Sequence, residues 1–513
     1  MGIYLGFSIS NSVTQEKWEK IYEEALVLAD KLNLADWNKF YYKGVRAYAY
    51  CRVKEQTEEE CGVEKHFWLA CGEYKYLKGG ECFGLAREID KKEYDKNAGP
   101  AILYELDSCS NISPSSLNKQ IRIQDIKTTG GLYHFRLLAV LCFLESKLKE
   151  KIFIFGDIDK GLCESAVRIA NKCLKEPIDL PARCDYTRLY EIIKTIDISD
   201  EKKLSLLVKT YLGEPDLKYK NFIEEKFDKN VIDQFWKNRF NNYAIGSYDF
   251  AVTLKEYLSY GFAFNKIFSY IMFTNTKEEC IKFLESIIDI ETNMNQFSKS
   301  LGITRNPKNN KVRGFSLEFR YSLFKSENRI NVDNCTFDDY VSELSKYFGE
   351  EVDVRSFLEE KIKEEDEDSI LSKARELHNK DNYYIFKGEE NFDIILSREL
   401  MYYKTGNTIA PFLIKAIQEA AKSNKERLSD KKFKELQEKE STEQIYELID
   451  INPNFPARDI DWFHTIDYFN SHSDALERYY PIFHMGCNDF SISNDIAKAL
   501  FMNDEFYEFY KKL

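Results

Sequence analysis

The residues best placed to do chemistry are Asp157 and Asp159, which follow the apolar run Lys151-Ile152-Phe153-Ile154-Phe155 in the loop Gly156-Asp157-Ile158-Asp159-Lys160-Gly161. A near-continuous apolar run of that length reads as a strand covered on both faces. Open α/β folds bind ligands beyond the carboxyl ends of such strands. Two carboxylates one residue apart there could share a divalent cation, Mg2+ or another, through oxygen ligands. The same letters suit a structural role, with Asp157 closing the turn and Asp159 capping the helix that follows.

Two further segments could converge on that loop. Lys127-Thr128-Thr129-Gly130-Gly131 precedes a helical pattern that contains His134, and Arg183-Cys184-Asp185 follows a second one. In such a site Lys127 and Arg183 would hold an anion, with Asp185 beside them and His134 as acid or base. The competing reading is a buried, hydrogen-bonded His134 and an ion pair between Arg183 and Asp185. The Gly pair lacks Walker spacing, and no nucleophile elbow, His-Glu-x-x-His or dinucleotide glycine pattern occurs. His464, His472, His484 and Cys487 are zinc-ligand types, but they lack the short paired spacings of known zinc sites. Arg305, Lys308, Lys311 and Arg313 form a basic, Asn-rich stretch that suggests a weaker, nucleic-acid reading.

The elements that must position these residues are a helical stripe (Leu137, Val140, Leu141, Leu144, Leu148), the strand, and a second stripe (Leu162, Ala166, Ile169, Cys173). Before them, strands are expected at 2–10, 45–53, 66–77, 81–88 and 101–106, with Lys78-Gly79-Gly80 as a hairpin turn. A helix capped by Ser12 with Gln15 should bury Trp18, Ile21, Ala25, Leu28 and Leu32. Beyond about 185 the patterns are helical to the end. The fold class is therefore α+β, predominantly α-helical. It has a small N-terminal mixed sheet (1–115), a helix-strand-helix unit (116–200) and a large helical region (201–513) divided near 325–390.

Composition narrows the function classes. The net charge of −13 makes duplex nucleic acid a poor partner, because phosphate binding is dominated by Lys and Arg. The 12 Cys lack paired spacings and read as reduced core thiols, Cys142 and Cys173 among them, which implies a reducing, cytoplasmic setting. The N-terminus has no basic leader pattern, and the apolar stretch 132–148 is interrupted by His134, Arg136 and Glu145, so no membrane span is expected. The 33 Tyr and 37 Phe suit helix–helix packing or a ring-rich surface for a protein partner.

Several segments carry a resemblance: Tyr133-His134, Leu137-Leu138-Ala139 and Glu145, Phe155-Gly156-Asp157-Ile158-Asp159, Ala170-Asn171, and Pro177-Ile178-Asp179-Leu180-Pro181-Ala182-Arg183-Cys184-Asp185. With Gly2-Ile3-Tyr4-Leu5-Gly6-Phe7 and Arg478-Tyr479-Tyr480-Pro481, they resemble an uncharacterised family of bacterial cytosolic proteins. That family has no assigned activity, so the resemblance implies a bacterial cytosolic origin and carries over no catalytic residue. The expected function is a protein-interaction protein of immunity or defence type, binding a protein partner through a helical, acidic, Tyr-rich surface and needing no cofactor. The alternative is a metal-assisted hydrolase or transferase at the end of the 151–155 strand, using Asp157, Asp159 and Mg2+ or another divalent cation.

Overall fold

The N-terminal third holds most of the strands, and β1 (Tyr4–Ser10) leads into α1 (Gln15–Lys31). The computed structural model describes residues 3–60, 62–89, 94–107, 120–128, 131–213, 215–274, 276–291, 337–349, 351–364, 394–485 and 492–513. Helix α1 buries Trp18, Ile21, Ala25 and Leu28 on one face, but its cap is Thr14, whose hydroxyl accepts from the Lys17 amide at 3.3 Å. Ser12 instead pairs with the Ser10 hydroxyl.

The chain divides into two compact units. One, the sheet unit, comprises Gly2–Ile158, Leu162–Leu180 and Tyr384–Leu513; the other, the helical unit, is chiefly Asp159–Gly161 and Pro181–Tyr383. The larger sheet of the first unit holds β2 (Leu34–Tyr42), β3 (Val45–Arg52), β4 (Gln56–Glu60), β5 (Val63–Glu73) and β6 (Lys78–Ala86). Its order is β3-β2-β5-β4, with β6 on the other edge of β5. Strands β2 and β4 have no counterpart in the sequence expectation. The hairpin turn between β5 and β6 is 74–77, with Leu77 at φ 53°, while Gly79 and Gly80 lie inside β6. The apolar segment expected as a strand at 101–106 is a 3-10 turn, Ala101–Leu103, followed by the short helix Tyr104–Asp107.

The second sheet is three-stranded, β7 (Gln120–Lys127), β1 and β8 (Ile152–Gly156), with β1 antiparallel to both neighbours. Consecutive residues Ile152, Phe153 and Ile154 are all buried, so β8 is covered on both faces, as its unbroken apolar run requires. Helix α2 (Gly131–Lys147) precedes it and is buried continuously from Tyr133 to Glu145. That is the pattern of a helix surrounded by protein. Helix α3 (Lys160–Cys173) follows β8. Gly156 sits at φ +122°, and a Cβ there would lie 2.3 Å from the Tyr4 carbonyl oxygen; only glycine allows β8 to close against β1 at this point.

Apart from a short parallel pairing of Ile394–Ile395 with Thr408–Ile409, where the sequence reads as helical throughout, the described C-terminal part of the sheet unit is helical and packs Leu413, Ile417, Trp462, Phe483 and Phe501 against Val45, Ala47 and Ala49 of β3. The helical unit has no strand among its described residues. Its core is built of rings: Trp236 meets Tyr257 edge-on at 5.1 Å and Tyr260 at 5.7 Å, and Tyr260 meets Tyr219 at 5.3 Å. The high ring content thus serves packing first. Among the described residues, no helix is long and apolar enough to cross a membrane.

Candidate functional site

Because β1 runs antiparallel to β7 and β8, the carboxyl ends of both strands meet the start of β1, with Tyr4 opposite Lys127 and Leu5 opposite Gly156. This register gathers Lys127, His134 and Asp157 around Ile3 and Tyr4. The Thr128 amide and hydroxyl reach the Ile3 carbonyl at 2.8 and 3.2 Å, and the hydroxyl shares a 2.7 Å hydrogen bond with buried His134 Nδ1. On the other side, Asp157 Oδ2 accepts from the Tyr4 amide at 2.7 Å, and the Asp157 amide donates to the Tyr4 carbonyl at 2.8 Å. The Lys127 amide donates to Glu81 Oε2 at 2.9 Å. Here Asp157 fastens strand to strand. The strand-end rule that drew attention to it belongs to parallel strands, and β8 pairs antiparallel.

Asp159, Arg183 and Asp185 belong to the helical unit. There the Lys160 amide donates to the Leu212 carbonyl at 3.1 Å, and the Leu212 amide donates to the Arg183 carbonyl at 2.9 Å. Buried Arg183 donates from Nε to the Thr210 carbonyl at 2.7 Å. Asp185 is the N-cap of the helix Tyr186–Lys194, accepting from the Thr187 amide (2.9 Å), the Thr187 hydroxyl (2.6 Å) and the Arg188 amide (3.2 Å). Partial burial opposes its charge, but those hydrogen bonds win and hold the carboxyl below its usual value.

Asp185→Ala should therefore cost about 1 kcal/mol, measured by urea unfolding, and Asp185→Asn clearly less. Because the folded-state value is depressed, the carboxylate's contribution is complete above the unfolded value of about 3.9. It disappears as pH falls through the lower folded value. An Asp185→Ala variant as stable as the native chain at neutral pH would remove the capping role.

The C-terminal histidines are separately engaged: His464 faces Asp504 at 3.4 Å, His472 stacks on Tyr468 at 4.0 Å, and His484 meets Tyr480 edge-on at 4.6 Å. Cys487, Arg305, Lys308, Lys311 and Arg313 lie outside the described residues.

A cluster that no sequence spacing announces lies in the larger sheet. Asp36 of β2, Cys71 of β5 and Cys82 of β6 place one ligand atom each within 4.8 Å of one another. Asp36 Oδ1 lies 3.6 Å from Cys71 Sγ, and its other oxygen accepts from Gln56 Nε2 at 2.5 Å. Burial pushes the Asp36 carboxyl up against the hydrogen bonds it receives. The two thiols share a hydrogen bond that raises Cys71 and lowers Cys82, so they titrate as a pair. Tyr133 fixes the spacing of the two strands, its hydroxyl lying 2.5 Å from the Ala70 carbonyl and 2.9 Å from that of Glu81.

The β2–β3 hairpin displays a second feature. Trp37, Lys39 and Tyr41 pair across strands with Tyr50, Tyr48 and Arg46, so all six share one face. Trp37 stacks on Tyr48 at 6.2 Å and meets Tyr50 edge-on at 4.9 Å; Lys39 lies over Tyr48 and Arg46 over Tyr41. Tyr41 is 66% and Tyr48 42% exposed. The opposite face, with Phe40, Tyr42, Val45, Ala47 and Ala49, packs on the C-terminal helices.

Compared with family models, with curated proteins and with solved structures, the chain matches none.

Proposed function

We propose that this is a protein-interaction protein, of immunity or defence type in a bacterial cytosol, and that it grips its partner with the ring-bearing face of the β2–β3 hairpin in place of a helical, acidic face. The observation that carries this reading is the row Trp37, Tyr48 and Tyr41, with Lys39 and Arg46 laid over its rings. Large rings and Arg dominate binding hot spots because they bury much area with few rotatable bonds. The chain as a whole carries −13, but the charges on this strip are cationic, so the surface it fits is an acidic segment of a protein. The alternative, a metal-assisted hydrolase or transferase at the end of β8, would draw on Asp157, whose carboxylate already holds the Tyr4 amide; the geometry favours the binding reading.

The test is quantitative capture from native lysate with the full chain and with a Trp37→Ala/Tyr48→Ala variant. A stoichiometric partner should be recovered by the native chain and depleted at least about tenfold by the variant, since losing two hot-spot rings removes more than about 2 kcal/mol. A control substitution at Tyr248, an exposed ring of the helical unit, should leave capture unchanged. Recovery indifferent to the hairpin substitutions ends the proposal.

A further inference from the structure

We infer that Asp36, Cys71 and Cys82 form a binding site for a borderline-soft divalent cation, zinc first, held by two thiolates and one carboxylate with a fourth position open to solvent. This goes beyond the partner-binding reading and does not rest on it.

The chemistry of the donor set points to zinc. Thiolate ligands select zinc and softer ions over Mg2+ and Ca2+, and carboxylate oxygen completes many zinc shells. Geometry agrees with that choice. With zinc–sulfur and zinc–oxygen bonds of about 2.3 and 2.1 Å meeting at the tetrahedral angle, a sulfur and an oxygen on one ion stand about 3.6 Å apart. Cys71 Sγ and Asp36 Oδ1 stand at 3.6 Å. Cys82 Sγ is within 4.8 Å of both, on an exposed side chain.

The surroundings are those of a built site. Asp36 is only 3% exposed, and burying a carboxylate is costly unless a cation or full hydrogen bonding answers it. The groups that reach it, Gln56, Cys71, the Trp37 amide and Asn38, bring donors and no positive charge. Gln56 holds Oδ2 and so turns Oδ1 toward the sulfurs, the outer-sphere role that orients a metal ligand. The irregularity between Ala70 and Gly72 in the β5–β6 pairing re-aims Cys71, as a bulge does. Tyr133, bridging Ala70 and Glu81, keeps the residues next to both cysteines at fixed separation. Three ligands from three strands leave one tetrahedral position, and exposure of Cys82 places that opening at the surface.

The experiment uses the full chain, reduced, freed of metal by chelation and titrated with Co2+ and then Zn2+. One Co2+ per chain should bind with a sulfur-to-cobalt charge-transfer band and the visible bands of a four-coordinate ion, and Zn2+ should displace it. Cys82→Ser, at an exposed position that leaves the far-ultraviolet circular dichroism unchanged, should weaken the charge-transfer band to half or less, and Cys71→Ser/Cys82→Ser should abolish it. Asp36→Asn should retain the band but bind at least tenfold more weakly, and Gln56→Ala should weaken binding by about 10- to 100-fold. The inference is overturned if the reduced native chain gives no such band, or if the band persists undiminished in the double variant. It is equally overturned if Cys71 and Cys82 are recovered as a disulfide, two hydrogens lighter by mass, and the reduced form takes up no ion.

Discussion

Replacing Arg136 with Met is expected to destabilise the sheet unit by about 3–5 kcal/mol. Arg136 of α2 is 8% exposed and forms an ion pair with Glu73 of β5, which is 0% exposed. Glu73 also accepts the amides of Lys75 at 2.9 Å and Tyr76 at 2.7 Å, which shape the 74–77 turn. Removing the guanidinium leaves a buried carboxylate with two amides and no counter-charge, and that uncompensated charge sets the size of the loss. The effect should therefore be reversed in good part by Glu73→Gln in the Arg136→Met background, because a neutral amide at position 73 no longer needs the cation. Tryptophan fluorescence in a urea series is a suitable measure, since Trp18, Trp37, Trp68 and Trp462 all lie in this unit and only Trp236 lies in the other. A loss below about 1 kcal/mol, the worth of an exposed pair, would show that the charge is not buried as described. Failure of the double variant to recover would show that packing around Arg136, and not charge, is what matters.

What the sequence made legible follows from how local each signal is. The helix-strand-helix middle was readable because Ile152-Phe153-Ile154 and the stripe from Leu137 to Leu148 are unbroken, and a fully buried strand or helix needs no alternation to announce it. Strand β2 was not readable. Its inward positions include Asp36 and Asn38 as well as Phe40 and Tyr42, so the polar and apolar letters do not alternate with the faces. The pair Gly79-Gly80 reads as a turn for a sound local reason but lies in a strand, because neighbours distant in sequence press on it. A Cβ at Gly79 would sit 2.4 Å from the Tyr50 hydroxyl oxygen, and one at Gly80 2.8 Å from the Tyr133 ring. The short apolar run from Ala101 was ambiguous between strand and helix, and Pro100, at φ −58°, starts it as a turn.

The candidate sites divide in the same way. Lys127, His134 and Asp157 could be grouped from the helical pattern and the 151–155 strand they flank, whereas their hydrogen bonds to Thr128, Glu81 and Tyr4 depend on the antiparallel register with β1. Asp36, Cys71 and Cys82 belong to no spacing rule, because the register of three strands and one irregular pairing bring them together. Nor does any local pattern disclose that the segment Tyr384–Leu513 completes the unit that begins at Gly2.

Arg478→Ala should destabilise that same unit by about 2–5 kcal/mol, the sum expected for losing three ring contacts to one desolvated cation. Arg478, in the helix Ala475–Phe483, is 3% exposed, and its guanidinium lies 4.5 Å from the ring centre of Tyr507, 4.9 Å from Tyr479 and 5.0 Å from Tyr468. It also donates to Asp504 at 2.7 Å and to the Leu500 carbonyl at 3.3 Å. Two accounts of its worth are separable by magnitude. If the ion pair dominates, Asp504→Ala should cost nearly as much as Arg478→Ala. The Asp504 side chain is 60% exposed, however, and a pair open to water on one side is worth about 1 kcal/mol or less. Three rings around one desolvated cation are worth about 0.5–2 kcal/mol each, so the rings win. Arg478→Lys should then recover less than half of the loss, because an ammonium has neither the plane that stacks on the rings nor the fork that reaches Asp504 and Leu500 together. In the same urea series, Asp504→Ala should fall within about 1 kcal/mol of the native chain and Arg478→Lys well below it. If those two variants exchange places, the ion pair and not the ring cage is what holds the helices Ala475–Phe483, Ile492–Met502 and Asp504–Tyr510 together.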